Sequence, residues 1–172
     1  MKALQLVKYG EIKDSLAFNE VSRPSIERTD VLIEVKAAAI NPIDKLIILG
    51  NLQGMLPVPF PSTVAYDVSG IVVEKGAEVS DFEIGDLVYS RVPQEQMGTI
   101  AEYVAVTSVA VSKKPGNICF EEAASLPLAG LTALQSLEYA GIKENDKVLI
   151  HAGSGGVGSL AIQHAKAKGA YV

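Results

Sequence analysis

Apolar residues recur along the first two thirds of the chain in short runs, at residues 3–7, 16–21, 31–40, 68–73, 87–89, 101–106 and 109–111. Glycine, proline or acidic clusters separate them, the punctuation expected between β-strands. In the longest run Val31, Ile33 and Val35 alternate with Leu32, Glu34 and Lys36, the period of a half-buried strand. Many short strands at irregular spacing predict a partly open β-barrel. Residues 51–62 carry Pro57, Pro59 and Pro61, which exclude a helix or a central strand and predict a surface loop, the kind of segment that borders sites.

The pattern changes after Pro115-Gly116-Asn117. Residues 121–126 predict a short helix broken at Pro127, and residues 130–140 a second one stopped by Gly141. Asn145-Asp146 predicts a turn into a buried strand at 147–150. Val157, Leu160, Ala161, Ala165 and Lys168 then recur at helical spacing, Gly169 is the expected stop, and Ala170-Tyr171-Val172 opens another strand. Between strand and helix lies His151-Ala-Gly-Ser-Gly-Gly-Val-Gly158, in which Gly153, Gly155 and Gly158 satisfy GxGxxG. In a dinucleotide phosphate loop the first glycine allows a tight turn, the second lets backbone approach a pyrophosphate, and the third lets helix and strand pack closely. The helix behind such a loop offers unpaired N–H groups and roughly half a positive charge at its N-terminus. The expected division is a β-barrel domain over residues 1–118 and the start of a nucleotide-binding domain over 119–172.

Composition narrows the function classes. Apolar residues make up 48 % and charged residues 20 %, which describes a globular chain with a core rather than a disordered one. The net charge is −5 and no basic run exceeds Lys113-Lys114, so nucleic acid is not an expected partner. The single cysteine, Cys119, cannot form an internal disulfide, and the opening residues do not read as a signal peptide. No apolar stretch nears the roughly 18 residues of a membrane span, so a soluble cytoplasmic protein is expected.

Several side chains admit two readings. Asp44 and Asp67 suit paired acid/base work, although capping or bonding to backbone is the commoner use of such residues. Tyr66 is either a proton donor or a ring packed on the barrel wall. Thr132 either packs at a helix start or faces a cofactor. His151 reads as a satisfied structural histidine, His164 as a solvent or edge residue, and Cys119 as a small buried apolar residue.

Four segments taken together resemble the medium-chain dehydrogenase/reductase superfamily over essentially the whole chain: Asn41-Pro42-Ile43-Asp44, Tyr66-Asp67-Val68-Ser69-Gly70, Ala129-Gly130-Leu131-Thr132-Ala133, and 153–158 with Ser159-Leu160-Ala161-Ile162-Gln163. The resemblance implies a mostly β plus α/β architecture, a GroES-like partly open β-barrel followed by the β-α-β start of a Rossmann domain, with an active site in the cleft between them. Where zinc alcohol dehydrogenases place Cys, His and Cys, this sequence holds Asn41, Tyr66 and Leu128, and a catalytic zinc needs about three ligating side chains. The resemblance therefore points to the zinc-free quinone oxidoreductase and enone reductase branch, with no metal site.

That branch passes hydride from NADPH to a quinone or to the β-carbon of an α,β-unsaturated carbonyl, the protein positioning the cofactor. It implies catalytic roles for Asn41, Asp44 and Tyr66. It also implies cofactor contacts from Asn41 and Thr132 near the nicotinamide and from Gly153, Gly155, Gly156, Val157 and Gly158 at the pyrophosphate. NADH is the alternative cofactor, and a small-molecule substrate, no membrane partner and a homodimer complete the expectation. Lys45-Leu46-Ile47-Ile48-Leu49 departs from the polar residues that relatives carry there, so either a polar contact is lost or Lys45 replaces it. The alternative function is a truncated, non-catalytic GroES-like module that self-associates or binds a partner.

Overall fold

Period-two runs pair into strands because alternate side chains then share one buried face. The computed structural model describes all residues from Met1 to Val172. It contains eight strands: β1 (Lys2–Leu6), β2 (Leu16–Glu20), β3 (Asp30–Ala39), β4 (Ser62–Thr63), β5 (Asp67–Lys75), β6 (Leu87–Arg91), β7 (Tyr103–Thr107) and β8 (Val111–Lys113). They form a three-stranded sheet, β2-β1-β4, and a five-stranded sheet, β7-β3-β5-β6-β8, with every ladder antiparallel. A single bridge, Ala3 with Ala101, and bonds such as Leu4 N–H to Ile100 O at 2.9 Å link the sheets. The barrel is thus partly open, as the strand pattern predicts.

The core lies between the sheets, where Leu6, Val31, Ile33, Val68, Val72, Val88 and Val106 are all fully buried. Each such side chain contributes about 1.5–3 kcal/mol of burial. In β3 the residues Val35 and Ala37 face Gly70 and Ser69, so Lys36 is a bulge residue. Gly70 has to be glycine there, since a Cβ would sit 2.1 Å from the Glu34 carbonyl oxygen.

Residues 109–111 do not form the expected strand. Ser108–Ala110 make a 3₁₀ turn that leaves Val109 91 % exposed, and pairing starts only at Val111. The cause is topological: β7 and β8 occupy opposite edges of the sheet, and the chain has to cross between them.

Five helices complete the chain: α1 (Ile12–Ser15), α2 (Pro42–Ile48), α3 (Phe120–Ala124), α4 (Pro127–Tyr139) and α5 (Gly156–Ala167). The α4 helix begins three residues before its expected start because proline is tolerated in a first turn, where its missing N–H would be unpaired anyway. Gly141 at φ +65 and Gly169 at φ +81 follow α4 and α5 as their stops. Cys119 is not buried. It is the exposed N-cap residue of α3, its Sγ accepting from Glu122 N–H at 3.4 Å while Glu122 Oε2 accepts from Cys119 N–H at 2.9 Å. Helix-end donors drew the thiol outward, a demand that composition does not reveal.

Two compact units result, Met1–Ser125 and Leu126–Val172. The short α3 helix therefore groups with the first unit, where Ser69 Oγ donates to the Phe120 carbonyl. In the second unit α4 and α5 pack through small residues, Ala133, Ala161 and Ala165, with Leu137 and Ala170 completing a core. The strands expected at 147–150 and from Ala170 shrink to one parallel bridge between Lys147 and Tyr171, with Val148 N–H bonded to Tyr171 O at 2.8 Å. No helix is long and apolar enough to cross a membrane.

Candidate functional site

The expected site residues fall on both units, and each group stands on its own geometry. In the first unit they gather where β3, β5 and β6 end in register, with Ala39, Asp67 and Arg91 side by side. Immediately after β3 the chain turns into α2, an element that the apolar pattern at 31–49 hides. Its signal is Asn41-Pro42-Ile43-Asp44, an N-cap residue, a proline at the first helical position and a carboxylate at the third. Asp44 Oδ2 accepts from the Asn41 backbone N–H at 2.6 Å, and Asn41 Nδ2 donates to Asp67 Oδ2 at 2.9 Å. Two buried carboxylates therefore hold one asparagine, Asp44 by its backbone and Asp67 by its side chain. Asp44 thus caps α2, and Asp67 fixes the Asn41 side chain.

Asp44 is 4 % exposed, and its Oδ1 has no hydrogen-bond partner. Burial pushes its carboxyl above the usual range, against the opposing pull of the Asn41 N–H and the Arg91 guanidinium. Tyr66, 2 % exposed, belongs to the main core and also lines a cavity with residues 57–59, Ser62, Gln94, Glu95 and Met97. The ring is therefore packed in the core, with one side bordering the cavity. The Arg91 guanidinium lies over its ring, 5.0 Å from the centroid. Burial raises the phenol above its ordinary pKa, Arg91 opposes this, and the Asp44 and Glu95 carboxylates add to it, so the hydroxyl keeps its proton at neutral pH. Arg91, Gln94 and Glu95 lie in no sequence motif: Arg91 reaches the site through β6 pairing with Asp67, and Gln94 and Glu95 through the 3₁₀ turn that follows β6.

The second unit carries the glycine loop. Gly155 is the N-cap of α5, and the first intrahelical bond runs from Ser159 N–H to Gly155 O at 2.9 Å. The N–H groups of Gly156, Val157 and Gly158 precede that bond and have no intrahelical acceptor. Gly155, Gly156 and Val157 are exposed. Of the three donors, those of Gly156 and Val157 lie on exposed residues while Gly158 is buried, and with the helix dipole behind them they suit a phosphate. Gly158 fits its expected part, because a Cβ there would lie 2.2 Å from the Ala152 carbonyl oxygen. The tight turn assigned to Gly153 is instead taken by Ala152, at φ +53. Gly153 makes room for α5, since its Cβ would meet Ile162 Cδ1 at 2.8 Å. A mostly apolar cavity of about 440 Å³, lined among others by Ala133, Leu137, Val148, Ile150, Gly155 and Gly158, lies within this unit.

Thr132 is not at a helix start. It is an exposed residue inside α4 whose Oγ1 donates to Leu128 O at 2.7 Å, which leaves the hydroxyl oxygen able to accept. His151 is exposed beside the loop and lines the same cavity, so it is no satisfied structural histidine, while His164 is exposed on α5. Lys45 is exposed on α2, whereas Ile47 and Ile48 behind it enter the core, so the apolar departure at 45–49 reflects helix packing.

Known proteins share this arrangement. A model of the alcohol dehydrogenase GroES-like domain matches residues 27–116, just over half of the chain. The chain belongs to that family. The matched part of this GroES-like protein runs from the approach to β3 to just beyond β8, so it contains Asn41, Asp44, Tyr66 and Arg91. Among its relatives, the 2-methylene-furan-3-one reductase of Solanum lycopersicum is 41 % identical over 172 residues, covering 96 % of this chain and 44 % of the relative. The structure of the quinone oxidoreductase from Coxiella burnetii superposes with a TM-score of 0.87 at 41 % identity, covering 99 % of this chain and 54 % of that one. The Escherichia coli quinone oxidoreductase complexed with NADPH gives 0.86 at 30 % identity, covering 99 % and 51 %. The homologues are quinone and enone oxidoreductases of the medium-chain dehydrogenase/reductase superfamily, and the GroES-like chain spans about half their length.

Proposed function

We propose that this sequence is the N-terminal part of a zinc-independent, NADPH-dependent reductase of quinones or α,β-unsaturated carbonyls. The observation that carries the reading is the open N-terminus of α5, where the exposed Gly156 and Val157 carry N–H groups without an intrahelical acceptor, in a chain whose relatives reduce such substrates. These donors would hold the pyrophosphate, and Asn41 and Thr132 would meet the nicotinamide. Bound NADPH supplies hydride. The division of labour proposed is a GroES-like domain over 1–118 that receives the acceptor and a nucleotide-binding start over 119–172.

On the protein side, Asp44 and Asp67 keep Asn41 in one orientation, so its amide presents fixed hydrogen-bonding groups. Tyr66 Oη holds a proton at neutral pH and is the candidate donor to an acceptor's carbonyl oxygen. Zinc independence rests on the resemblance, in which Asn41, Tyr66 and Leu128 stand where zinc alcohol dehydrogenases place Cys, His and Cys. The work is proposed to take place in a reducing aqueous compartment, the cytoplasm by default, where the exposed Cys119 stays unpaired. Relatives named chloroplastic or mitochondrial make organelle import the competing address.

The whole protein carrying this sequence is expected to oxidise NADPH with cyclohex-2-enone or 1,4-benzoquinone, and to do so unchanged in the presence of a chelator. Tyr66→Phe is expected to lower kcat/KM about 100-fold, the usual range for a lost proton donor. No NADPH oxidation with either acceptor would refute the reading.

A second reading, a self-associating module, is favoured by one observation: Leu149 is 82 % and Tyr171 74 % exposed on the second unit. Titration with NADPH separates the two. Saturable binding by the 172-residue chain supports the reductase. Concentration-dependent mass in light scattering without NADPH binding supports the module.

A further inference from the structure

Tyr9 stands on none of the elements that carry the candidate site, yet it holds one wall of the cavity beside Tyr66. Its Oη accepts from Val58 N–H at 2.9 Å, and its ring meets Phe60 edge to face, with centroids 4.7 Å apart. Gly50 lies so near that a Cβ there would be 3.0 Å from Tyr9 Cβ. The next residue, Gly10, donates its N–H to Ile48 O at 3.0 Å. The turn after β1 thus ties down both the end of α2 and the proline-rich loop. At the loop's far end Ser62 Oγ donates to the Pro59 carbonyl. Between those ties Pro57, Pro59 and Pro61 have fixed φ, so the segment has little freedom to reshape without losing one of them.

The cavity that this segment bounds measures about 210 Å³, and Glu95, Met97 and Tyr66 also line it. Its walls are about evenly polar and apolar, and the Glu95 carboxylate disfavours an anionic occupant. The Tyr66 hydroxyl has no hydrogen-bond partner within the protein and keeps its proton, so it can serve a neutral carbonyl oxygen. Size then decides the class, since a cavity of about 150 Å³ takes benzene. A volume of 210 Å³ admits one ring with its carbonyl and falls short of a second fused ring.

We infer that Tyr9 is a specificity-determining residue, which pins residues 57–59 and thereby restricts the seat beside Tyr66 to single-ring carbonyl compounds. The inference rests on the reading of the protein as a carbonyl-acceptor reductase, but its test does not need turnover. The ¹⁵N-labelled chain is titrated with cyclohexanone and with 2-decalone, ketones that are not Michael acceptors and so leave Cys119 unmodified.

Cyclohexanone is expected to shift the amides of Val58, Ser62 and Met97, and decalone to leave them in place. Tyr9→Phe keeps the ring and deletes the acceptor of Val58 N–H. It is expected to weaken cyclohexanone about 3-fold and to bring decalone binding up about 10-fold, the scale of one hydrogen bond. A merely structural role would lower both affinities together, so their ratio is the readout. Equal binding of the two ketones by the parent, or an unchanged ratio in Tyr9→Phe, overturns the inference. If the ratio moves while NADPH oxidation fails, the seat stands and the reductase reading falls. An active enzyme whose Tyr9→Phe variant keeps its ring selectivity overturns the seat alone.

Discussion

Gly158→Ala is expected to cost the second unit about 3 kcal/mol, the upper end of what overpacking does, and to abolish NADPH binding. The new Cβ would lie 2.2 Å from Ala152 O, 2.8 Å from Ala152 C and 3.0 Å from Gly153 Cα. All three are backbone atoms, so no rotamer change makes room. Either α5 slides away from residues 152–153 or the loop shifts, and each movement dismantles the N–H cluster at the helix start. Gly156→Ala is the control, because its Cβ would meet only Ala129 Cβ at an ordinary 3.7 Å. Alanine at that helical position gains about 0.8–1 kcal/mol of propensity over glycine. Urea unfolding followed by helical circular dichroism, with NADPH titration alongside, measures both effects. Equal stability in the two variants would remove the packing explanation for the third glycine.

The second large effect is expected at Asp44. Asp44→Ala strips the acceptor from the Asn41 N–H and leaves a space in a buried corner, a loss of about 1–2 kcal/mol by the scale of lost caps. It also frees Asn41, so turnover by the whole protein is expected to fall about 10-fold with the backbone anchor gone. Asp44→Asn keeps an acceptor oxygen and removes the charge.

The sign of the pH effect follows from the raised pKa. Protonated Asp44 favours the fold, so this contribution is complete below the unfolded value of 3.8 and is lost as pH rises through the higher folded value. Asp44→Asn has no such loss. Its stability relative to the parent is expected to climb as pH rises from 3.8 towards neutrality, in urea unfolding repeated across that window. A difference that stays flat with pH would mean that Asp44 is not held in its neutral-favouring environment.

Much of the fold was legible because its causes are local. The strands over 31–40 and 68–73 follow from short apolar runs between turn residues, although Leu32 is as buried as Val31 and Ile33, and Gly141 and Gly169 end their helices because a left-handed residue suits glycine. The α2 helix was missed although Asn41-Pro42-Ile43-Asp44 spells a helix start, since the apolar run on either side drew attention to strand length instead. At 147–150 a run of apolar residues gives strand propensity, but a ladder needs partner backbone, and the pairing there is the single Lys147–Tyr171 bridge. Cys119 shows how far residue type misleads when a helix end close by needs an acceptor.

What the sequence alone determined, then, is the order of elements, the glycine spacing of the phosphate loop and the family to which the four segments point, because each is written in neighbouring residues. The tertiary structure decided what those residues do. It brought Asp44 and Asp67 to the two ends of Asn41, laid Arg91 over Tyr66, and set Tyr9 against a loop some fifty positions away. Such contacts depend on strand register and on which buried polar groups find partners. Both are settled by the packing of distant segments, which local pattern does not encode.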